Sequence, residues 1–326
     1  MENYELIVPV KASDFQSLAL SLPYIHKNLM PSRITIITKE GAGIDCGCEC
    51  RRLDEDRLLD GLCPGGLTLS RIKLLLKRRI GDDQRAGWFF QQFLKMGFAL
   101  RPDCPQKYLI WDADTIPLRP IQFERNRKCV FYQTFECNVA YFLTLRNLLF
   151  HDKRFISSLR VKGSPFSFIS ESMLVYRDVM RELIAKIESL TPGVPFFEIV
   201  LSVVDSRSLP FSGFSEFETY GNYYLQRFSE NACILDRTLR RFRYGKIFVG
   251  EHPTPKQVES LANVLDVVSF ETGNPFGPLF PTSISMGVVQ RMFLCFYWSV
   301  RKIIWLKNII RLMCLLLFSK TARKFN

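Results

Sequence analysis

Apolar residues in the first part of the chain follow two different periods. A short β-branched run at residues 5–10 precedes Ser13 and Asp14, which are helix N-cap candidates, and residues 15–29 then show helical apolar spacing. A second strand-like run, RITIIT, occupies residues 33–38. A strand, a helix of about four turns and another strand form a βαβ unit. The pattern therefore predicts a parallel sheet covered by helices.

The pattern along the rest of the chain predicts further strands and helices, and therefore an α/β fold with helices flanking the sheet. Residues 41–66 are rich in Gly, Cys and Asp and are predicted to form a loop. Ligands of such sheets bind at the carboxyl ends of the strands. Helices are predicted at residues 67–79, 88–100, 177–190 and 195–204, and strands at 108–111, 128–134, 167–176 and 246–249.

Composition and charge divide the chain into two parts. Its 326 residues are 47% hydrophobic and 23% charged, which is typical of a folded globular protein. The net charge is +12, but residues 284–326 contain eight basic residues and no acidic one, so residues 1–283 hold 36 basic residues against 32 acidic ones. We predict a domain over 1–283 and a basic, apolar helical tail over 284–326, with no nucleic acid partner.

The tail alternates apolar runs with basic residues. Its longest uncharged stretches have nine and eight residues, fewer than the about 20 that cross a bilayer. Aromatic side chains beside Lys and Arg favour helices lying on an anionic membrane surface. The alternative is packing on the domain or on a second subunit.

The N-terminus and the cysteines bear on the compartment. Glu2 and Glu5 lie where a signal peptide carries positive charge, so we expect a cytoplasmic protein, peripheral on the inner face of the cell membrane. Cys46, Cys48 and Cys50 match no familiar zinc spacing and are interpreted as reduced thiols of a surface loop.

Asp112 and Asp114 carry the sharpest chemical signal. They follow the apolar run YLIW directly, in the pattern D-x-D. Two carboxylates at a strand end can hold Mg²⁺ or Mn²⁺, and such an ion can neutralise a diphosphate leaving group. Two Asp residues at this position can also cap a turn. We favour the metal site because of the preceding strand and the βαβ opening.

Four segments together resemble a bacterial family of GT-A-like glycosyltransferases, largely catalogued as a domain of unknown function. The resemblance covers residues 4–275 and implies a GT-A-like fold, a Rossmann-like mixed sheet flanked by helices. It also implies a glycosyltransferase of the hexosyltransferase type, with a nucleotide-sugar donor. It implies a hydroxyl acceptor, which we expect on an envelope glycan or a lipid-linked glycan. The segments are GWFFQQFLK at 87–95, YLIWDADTIPLRP at 108–120, SFISESMLVYRDVMREL at 167–183 and FSEFETYGNY at 214–223.

The resemblance also implies roles for individual residues. Asp112 and Asp114 match the D-x-D and would bind Mn²⁺ or Mg²⁺. Gln92 and Lys95 lie on the helix before that strand and would face the donor together with Trp111 and Asp112. The alternative for Gln92 and Lys95 is a helix rim that touches solvent.

The later part of the chain contains candidates for acid–base chemistry and for the metal shell. Glu216 or Glu218 would remove the acceptor proton in an inverting reaction, and the alternative is a pair of surface carboxylates. They would share a face in a strand but need not in a loop. His252 is a candidate third metal ligand, although a lone His is more often a bystander. Glu171 lies in an apolar strand and fits either a cleft or an exposed edge.

Five basic residues between positions 237 and 246 form a cluster, and two other functions are compatible with the sequence. The cluster could hold phosphates, but a solvated surface is favoured. A nucleotidyl- or phospho-transferase could use the same two carboxylates, and a membrane-associated scaffold could bind nucleotide-sugar without turnover. The cluster contains Arg237, Arg240, Arg241, Arg243 and Lys246.

Overall fold

The computed structural model describes most of the chain. The described residues are 4–39, 50–134, 138–149, 167–237, 240–250, 253–271, 295–300, 302–303, 306–307 and 310. His252, Cys46 and Cys48 lie outside these ranges, as does most of the tail.

The main sheet has five strands in the order β3-β2-β1-β4-β8. Four of them run parallel, and β8 pairs antiparallel with β4. The central strand β1 is buried along its whole length, as expected of a parallel strand covered on both faces. The strands are β1 (Glu5–Pro9), β2 (Arg33–Thr38), β3 (Arg51–Asp54), β4 (Lys107–Trp111) and β8 (Ser172–Tyr176).

Helices cover the sheet with apolar faces set by their sequence. In the first helix Leu18, Leu22 and Ile25 follow the helical period and are all buried. The second begins after Thr68, whose side chain accepts from the Arg71 amide, and ends at Gly81 in the left-handed conformation. The helices are α1 (Phe15–Asn28), α2 (Leu69–Ile80), α3 (Ala86–Gly97), α4 (Val139–Leu149), α5 (Arg177–Glu188), α6 (Phe196–Val203), α7 (Glu216–Phe228), α8 (Lys246–Val249) and α9 (Pro255–Leu261).

Two further sheets of three strands each flank the main one. The sheet β10-β11-β5 covers a separate apolar core that includes Ile116, Phe242 and Val268. The other sheet has the order β6-β7-β9. The chain passes from β4 into β5 through residues 112–114, so the D-x-D lies where the main sheet meets the second sheet. These strands are β5 (Thr115–Pro117), β6 (Glu124–Arg125), β7 (Lys128–Gln133), β9 (Ala232–Asp236), β10 (Arg241–Phe242) and β11 (Val267–Ser269).

The predicted mixed α/β sheet with flanking helices is confirmed, and three local predictions are corrected. The segment 41–66 contains the edge strand β3, which its polar sequence RRLD disguised. Residues 246–249 form one helical turn after Gly245 and not a strand. The strand predicted at 167–176 begins at Ser172, because Glu171 takes a left-handed backbone conformation that interrupts it.

Candidate active site

Asp112 and Asp114 lie in the turn between β4 and β5, and their backbone is held from two sides. The Asp112 amide donates to the Glu171 carbonyl at 3.1 Å, and the Asp114 carbonyl accepts from the Phe270 amide at 2.9 Å. The Thr115 amide donates to the Asp112 carbonyl at 3.0 Å. Residues from both neighbouring sheets therefore fix the position of the two carboxylates.

Trp111 closes this turn from inside the core. Its ring is fully buried, and its Nε1 donates to the Thr115 carbonyl at 2.8 Å. Trp111 is therefore a core residue, and its predicted role as a direct contact of the donor is corrected.

Lys95 lies at the centre of a buried charge cluster. Its Nζ is 2.7 Å from Asp112 Oδ1 and 2.7 Å from Glu216 Oε1, and it lies over the Phe217 ring at 4.8 Å from the ring centre. The Lys95 side chain is 2% exposed and that of Glu216 is 1% exposed, whereas that of Asp112 is 24% exposed. The exposed part of Asp112 is thus what this cluster offers to a ligand.

Gln92 joins the same cluster from one turn earlier in α3. In the amide orientation that satisfies its neighbours, its nitrogen donates to both carboxylate oxygens of Glu216, at 3.2 Å for Oε1. Gln92 and Lys95 are both buried. The alternative of a solvent-exposed helix rim is therefore wrong.

The charges of the site perturb one another strongly. Burial by itself lowers the pKa of Lys95, but Asp112 and Glu216 outweigh it and raise that pKa above its ordinary value. Burial raises the pKa of Glu216 against the opposing effect of Lys95. Burial, followed by the nearby charges of Asp112 and Glu271, raises the pKa of Asp114 to about 7.

Glu216 and Glu218 begin α7 and differ sharply in their surroundings. Ser215 is the N-cap of the helix, and its hydroxyl accepts from the Glu218 amide at 3.3 Å. Both carboxylates are buried, so the alternative of a surface pair is wrong. Both residues lie in the first turn of a helix. Only the Glu216 side chain reaches Lys95 among the contacts of the described residues.

The Glu218 carboxylate is held in the protein interior by hydrogen bonds. It accepts from the Ser167 hydroxyl, from the Phe168 amide at 3.1 Å and from the Asn222 amide at 3.2 Å. Glu216 lines the cleft over the carboxyl ends of β1 and β4, whereas Glu218 does not. Of the two predicted bases, the structure therefore brings Glu216 to the other site residues and leaves Glu218 apart.

A cleft with a volume of about 630 Å³ opens over the carboxyl ends of β1 and β4. Asp112, Asp114, Lys95, Gln92 and Glu216 all line it, which brings these predicted residues together. Its wall also contains residues that the sequence did not single out. These include Asp14, Glu55, Arg85, Trp88, Tyr141 and Glu271.

A second charge cluster lies beside Asp114. Glu171 is 4% exposed and pairs through both oxygens with Arg241, whose side chain is fully buried. Arg243, which lies two residues after Arg241, donates from its Nη2 to Glu271 Oε2 at 2.7 Å. Glu171, Arg243 and Glu271 line the cleft, so the cleft interpretation of Glu171 is confirmed and the exposed-edge alternative is wrong.

The basic cluster predicted at residues 237–246 is not a solvated surface as a whole. Arg241 is buried, and the buried Arg237 lies over the Tyr132 ring, where burial lowers its pKa to about 10. Arg240 is exposed and pairs with Asp266 at 2.6 Å and 2.7 Å. The sequence could not separate these positions, because their burial depends on residues distant in the chain, such as Glu171 for Arg241 and Tyr132 for Arg237.

Asp112 and Asp114 have the chemistry that a divalent metal requires. Asp112 Oδ1 is buried and lies 2.7 Å from Lys95 Nζ, so a cation would bind the remaining, exposed part of the Asp112 carboxylate, whose side chain is 24% exposed. Carboxylate oxygens suit Mg²⁺ and Mn²⁺. No group of three metal-ligating side chains occurs among the described residues, and His252 lies outside them. The two carboxylates therefore fit a metal that takes its other ligands from water and substrate.

Among the described residues of the tail, Tyr297 and Trp298 pack against the domain, whereas other apolar side chains are exposed. Tyr297 lies 5.2 Å from Phe242 between ring centres, and Trp298 is buried in the second core. In the part of the chain that the structure describes, no helix has the length and apolar character needed to cross a bilayer. The exposed apolar side chains are Phe296, Val300, Ile303, Leu306 and Ile310.

Comparisons with known proteins give similarity at the level of structure alone. No protein-family model matches the sequence, and no curated protein matches it. The mouse xyloside xylosyltransferase 1 structure is 14% identical, with a TM-score of 0.45, covering 84% of this chain and 100% of that one. The galactosyltransferase LgtC, solved with donor and acceptor sugar analogues, is 8% identical with a TM-score of 0.36, covering 89% and 94%.

A third similar structure is core-mannan synthase A from Aspergillus fumigatus in its Mn/GDP form. It is 10% identical with a TM-score of 0.41, covering 72% of this chain and 73% of that one. Identities and scores at this level do not assign an activity. The function proposed below rests on the residues of the cleft.

Proposed function

We propose that this protein is a GT-A-type glycosyltransferase that moves a sugar from a nucleoside diphosphate sugar to an acceptor hydroxyl. The observation that carries the proposal is the position of Asp112 and Asp114 at the carboxyl end of a central strand, facing a cleft of about 630 Å³. Ligands of open α/β sheets bind at this edge, and clefts of this volume hold small molecules. The paired carboxylates match a substrate that is bound through a metal and a diphosphate.

Asp112 and Asp114 would hold Mn²⁺ or Mg²⁺. A bound ion of this kind neutralises charge on a diphosphate leaving group. Lys95 contributes by holding the Asp112 carboxylate in place, with Glu216 as its second anchor. Asp114 must give up a proton to act as a ligand, because its pKa of about 7 leaves it partly protonated near neutral pH.

Glu216 is the candidate base for an inverting reaction. It lines the cleft, and burial raises its pKa toward the range in which a carboxylate accepts a proton readily. Gln92 and Lys95 orient its two oxygens. If the anomeric configuration is retained, Glu216 serves instead to keep Lys95 against Asp112.

We propose further that the acceptor is an envelope glycan or a lipid-linked glycan at an anionic membrane surface. Support comes from the eight basic residues of the tail and from the exposed apolar side chains that recur at helical spacing between Phe296 and Ile310. The division at 283/284 and the inner face of a bacterial membrane as location stay predictions. Because Tyr297 and Trp298 pack on the second core, truncation at residue 283 would uncover Phe242.

The first experiment is a thermal-shift titration of the full chain with Mn²⁺ and a panel of nucleotide-sugars. A ligand that binds the native state raises its stability, by about 2.7 kcal/mol at 100 times the dissociation constant. We expect a metal-dependent rise with one donor class, absent in Asp114→Asn. Asp178→Asn is the matched control, because Asp178 is exposed and remote from the cleft.

The donor that produces a shift is then tested for turnover. Transfer of the sugar with release of a nucleoside diphosphate would support the proposal. Release of pyrophosphate would indicate nucleotidyl transfer and contradict it, and a folded protein that no donor stabilises would favour the scaffold.

Membrane binding is tested by flotation with vesicles. We expect binding to anionic vesicles at low salt, little binding to neutral vesicles and loss at high salt. Phe296→Glu should weaken binding, while Phe211→Glu should not, since Phe211 is equally exposed but lies outside the tail. Equal effects of the two substitutions would contradict the proposal.

A further inference from the structure

Arg243 is a basic residue of the cleft that the proposed mechanism has not used. It follows β10 and lines the cleft, as do Asp112 and Asp114. Its side chain is 27% exposed. Arg243 therefore combines a positive charge with access to the same space as the candidate metal ligands.

The main partner of Arg243 is a carboxylate that is itself accessible, and Arg243 Nε also lies 3.8 Å from Oε1 of the buried Glu171. Arg243 Nη2 donates to Glu271 Oε2 at 2.7 Å, and the Glu271 side chain is 23% exposed. The neighbouring Phe270 amide donates to the Asp114 carbonyl at 2.9 Å. The end of β11 thus holds the Arg243 partner next to the D-x-D turn.

Arg241 holds the chain in place two residues before Arg243. It is fully buried and pairs through two nitrogens with Glu171, and the carbonyl of Glu171 accepts from the Asp112 amide. Glu171 adopts a φ of 54°, which is unfavourable for a non-glycine residue and is maintained by these contacts. Arg241 is therefore sealed with its carboxylate, whereas Arg243, directly after the strand, keeps a partly exposed side chain.

We propose that Arg243 binds the diphosphate of the donor, exchanging the carboxylate of Glu271 for phosphate oxygens. This inference rests on the proposed function. The guanidinium fork matches phosphate oxygens in a two-point contact, and the exchange keeps the Arg243 charge paired throughout. The released Glu271 carboxylate is accessible to water and needs no new partner. Arg243 and the metal held by Asp112 and Asp114 would then bind the diphosphate together.

The test is calorimetric titration of the full chain with inorganic pyrophosphate in the presence of saturating Mg²⁺. Arg243→Gln should weaken binding by about tenfold or more, the effect of losing hydrogen bonds between charged groups. Arg243→Lys should recover part of the affinity. Arg240→Gln is the matched control, because Arg240 carries the same charge and a similar ion pair, with Asp266, but does not line the cleft.

Glu271→Gln gives a result of opposite sign. Because it removes the carboxylate that competes for Arg243, it should tighten pyrophosphate binding, which loss of structure would not do. Unchanged binding in Arg243→Gln, weakening by Arg240→Gln to the same extent, or weaker binding in Glu271→Gln would overturn the proposal. So would the absence of pyrophosphate binding by the wild-type chain. The glycosyltransferase proposal is judged separately, by its donor-dependent thermal shift and its sugar product.

Discussion

The two charge clusters on either side of the D-x-D turn use the same ingredients in different ways. On one side, Lys95 lies between Asp112 and Glu216, and Asp112 remains partly exposed to the cleft. On the other side, Arg241 is sealed against Glu171 with almost no exposure of either side chain. The first cluster keeps an accessible oxygen, and the second does not.

This difference indicates that the two clusters have different roles. An ammonium group can serve two carboxylates at once, and a ligand can approach the one that is exposed. A guanidinium that is bound at two points and fully buried, as in Arg241, keeps one geometry and is out of reach of other partners. We infer that the Lys95 cluster belongs to the chemistry of the cleft, while the Glu171–Arg241 pair fixes the joint between the main sheet and the second sheet.

Breaking the sealed pair should have the largest effect on stability. Arg241→Met leaves the Glu171 carboxylate buried without its main partner, and we expect a loss of about 3–5 kcal/mol in the free energy of unfolding. Chemical denaturation measures it. Arg240→Met should cost less than about 1 kcal/mol, since its pair with Asp266 is exposed. Similar losses for the two variants would show that the sealed pair has no special role.

Breaking the accessible cluster should cost less and should depend on pH. Lys95→Met leaves two carboxylates, but Asp112 reaches solvent and Glu216 can take up a proton, so we expect a loss of about 2–3 kcal/mol at neutral pH. A buried carboxyl with a raised pKa loses stability as pH rises from its unfolded pKa toward its folded one. The loss should therefore be smaller at pH 5 than at pH 8, and denaturation curves that show no such difference would contradict the assignment.

The two carboxylates of α7 should separate stability from turnover. Glu218→Gln disturbs the contacts with Ser167, Phe168 and Asn222 and should lower the free energy of unfolding by about 1–2 kcal/mol, with kcat unchanged. Glu216→Gln should lower kcat. Parallel denaturation and transfer assays compare the two variants, and a fall in kcat for Glu218→Gln alone would reverse the assignment.

The last prediction concerns Asp114, whose proposed role as a metal ligand lowers the stability of the metal-free fold. The pKa of Asp114 is near 4 in the unfolded chain and is raised to about 7 in the folded chain. Ionisation of Asp114 therefore destabilises the metal-free fold as the pH rises from about 4 to about 7. Asp114→Asn removes this cost, which is about 1.4 kcal/mol per unit of pKa shift, so without metal its Tm should exceed that of the wild type by roughly 5 °C or more at pH 8. At pH 4 the two should coincide. A lower Tm for the variant at pH 8 would contradict the raised pKa.

Local patterns were sufficient for the elements that build the main sheet. The strands β1, β2 and β4 and the helix α1 have long apolar runs or a clear period, and their predicted positions are confirmed. The polar strand β3 has neither feature, because it lies at the edge of the sheet. The start of α7 carried a usable signal, since Ser215 followed three residues later by Glu218 is a helix-capping pattern.

The site was predictable only where its residues are close in sequence. Asp112 and Asp114 could be recognised from the strand before them. Glu171 and Arg241 meet across 70 positions of the chain, so no local pattern joins them. The pair of Arg243 and Glu271 is nonlocal too, because it joins the ends of the paired strands β10 and β11 across 28 positions of the chain.

The hydrogen bond from the Phe270 amide to the Asp114 carbonyl has a consequence for synthesis of the protein. The main sheet uses strands that end at Tyr176, so it can assemble while the later part of the chain is still being made. The turn that carries the two Asp residues gains its second support only after β11 has left the ribosome. A nascent chain paused before residue 267 would therefore be folded in its larger part and still lack a finished active site.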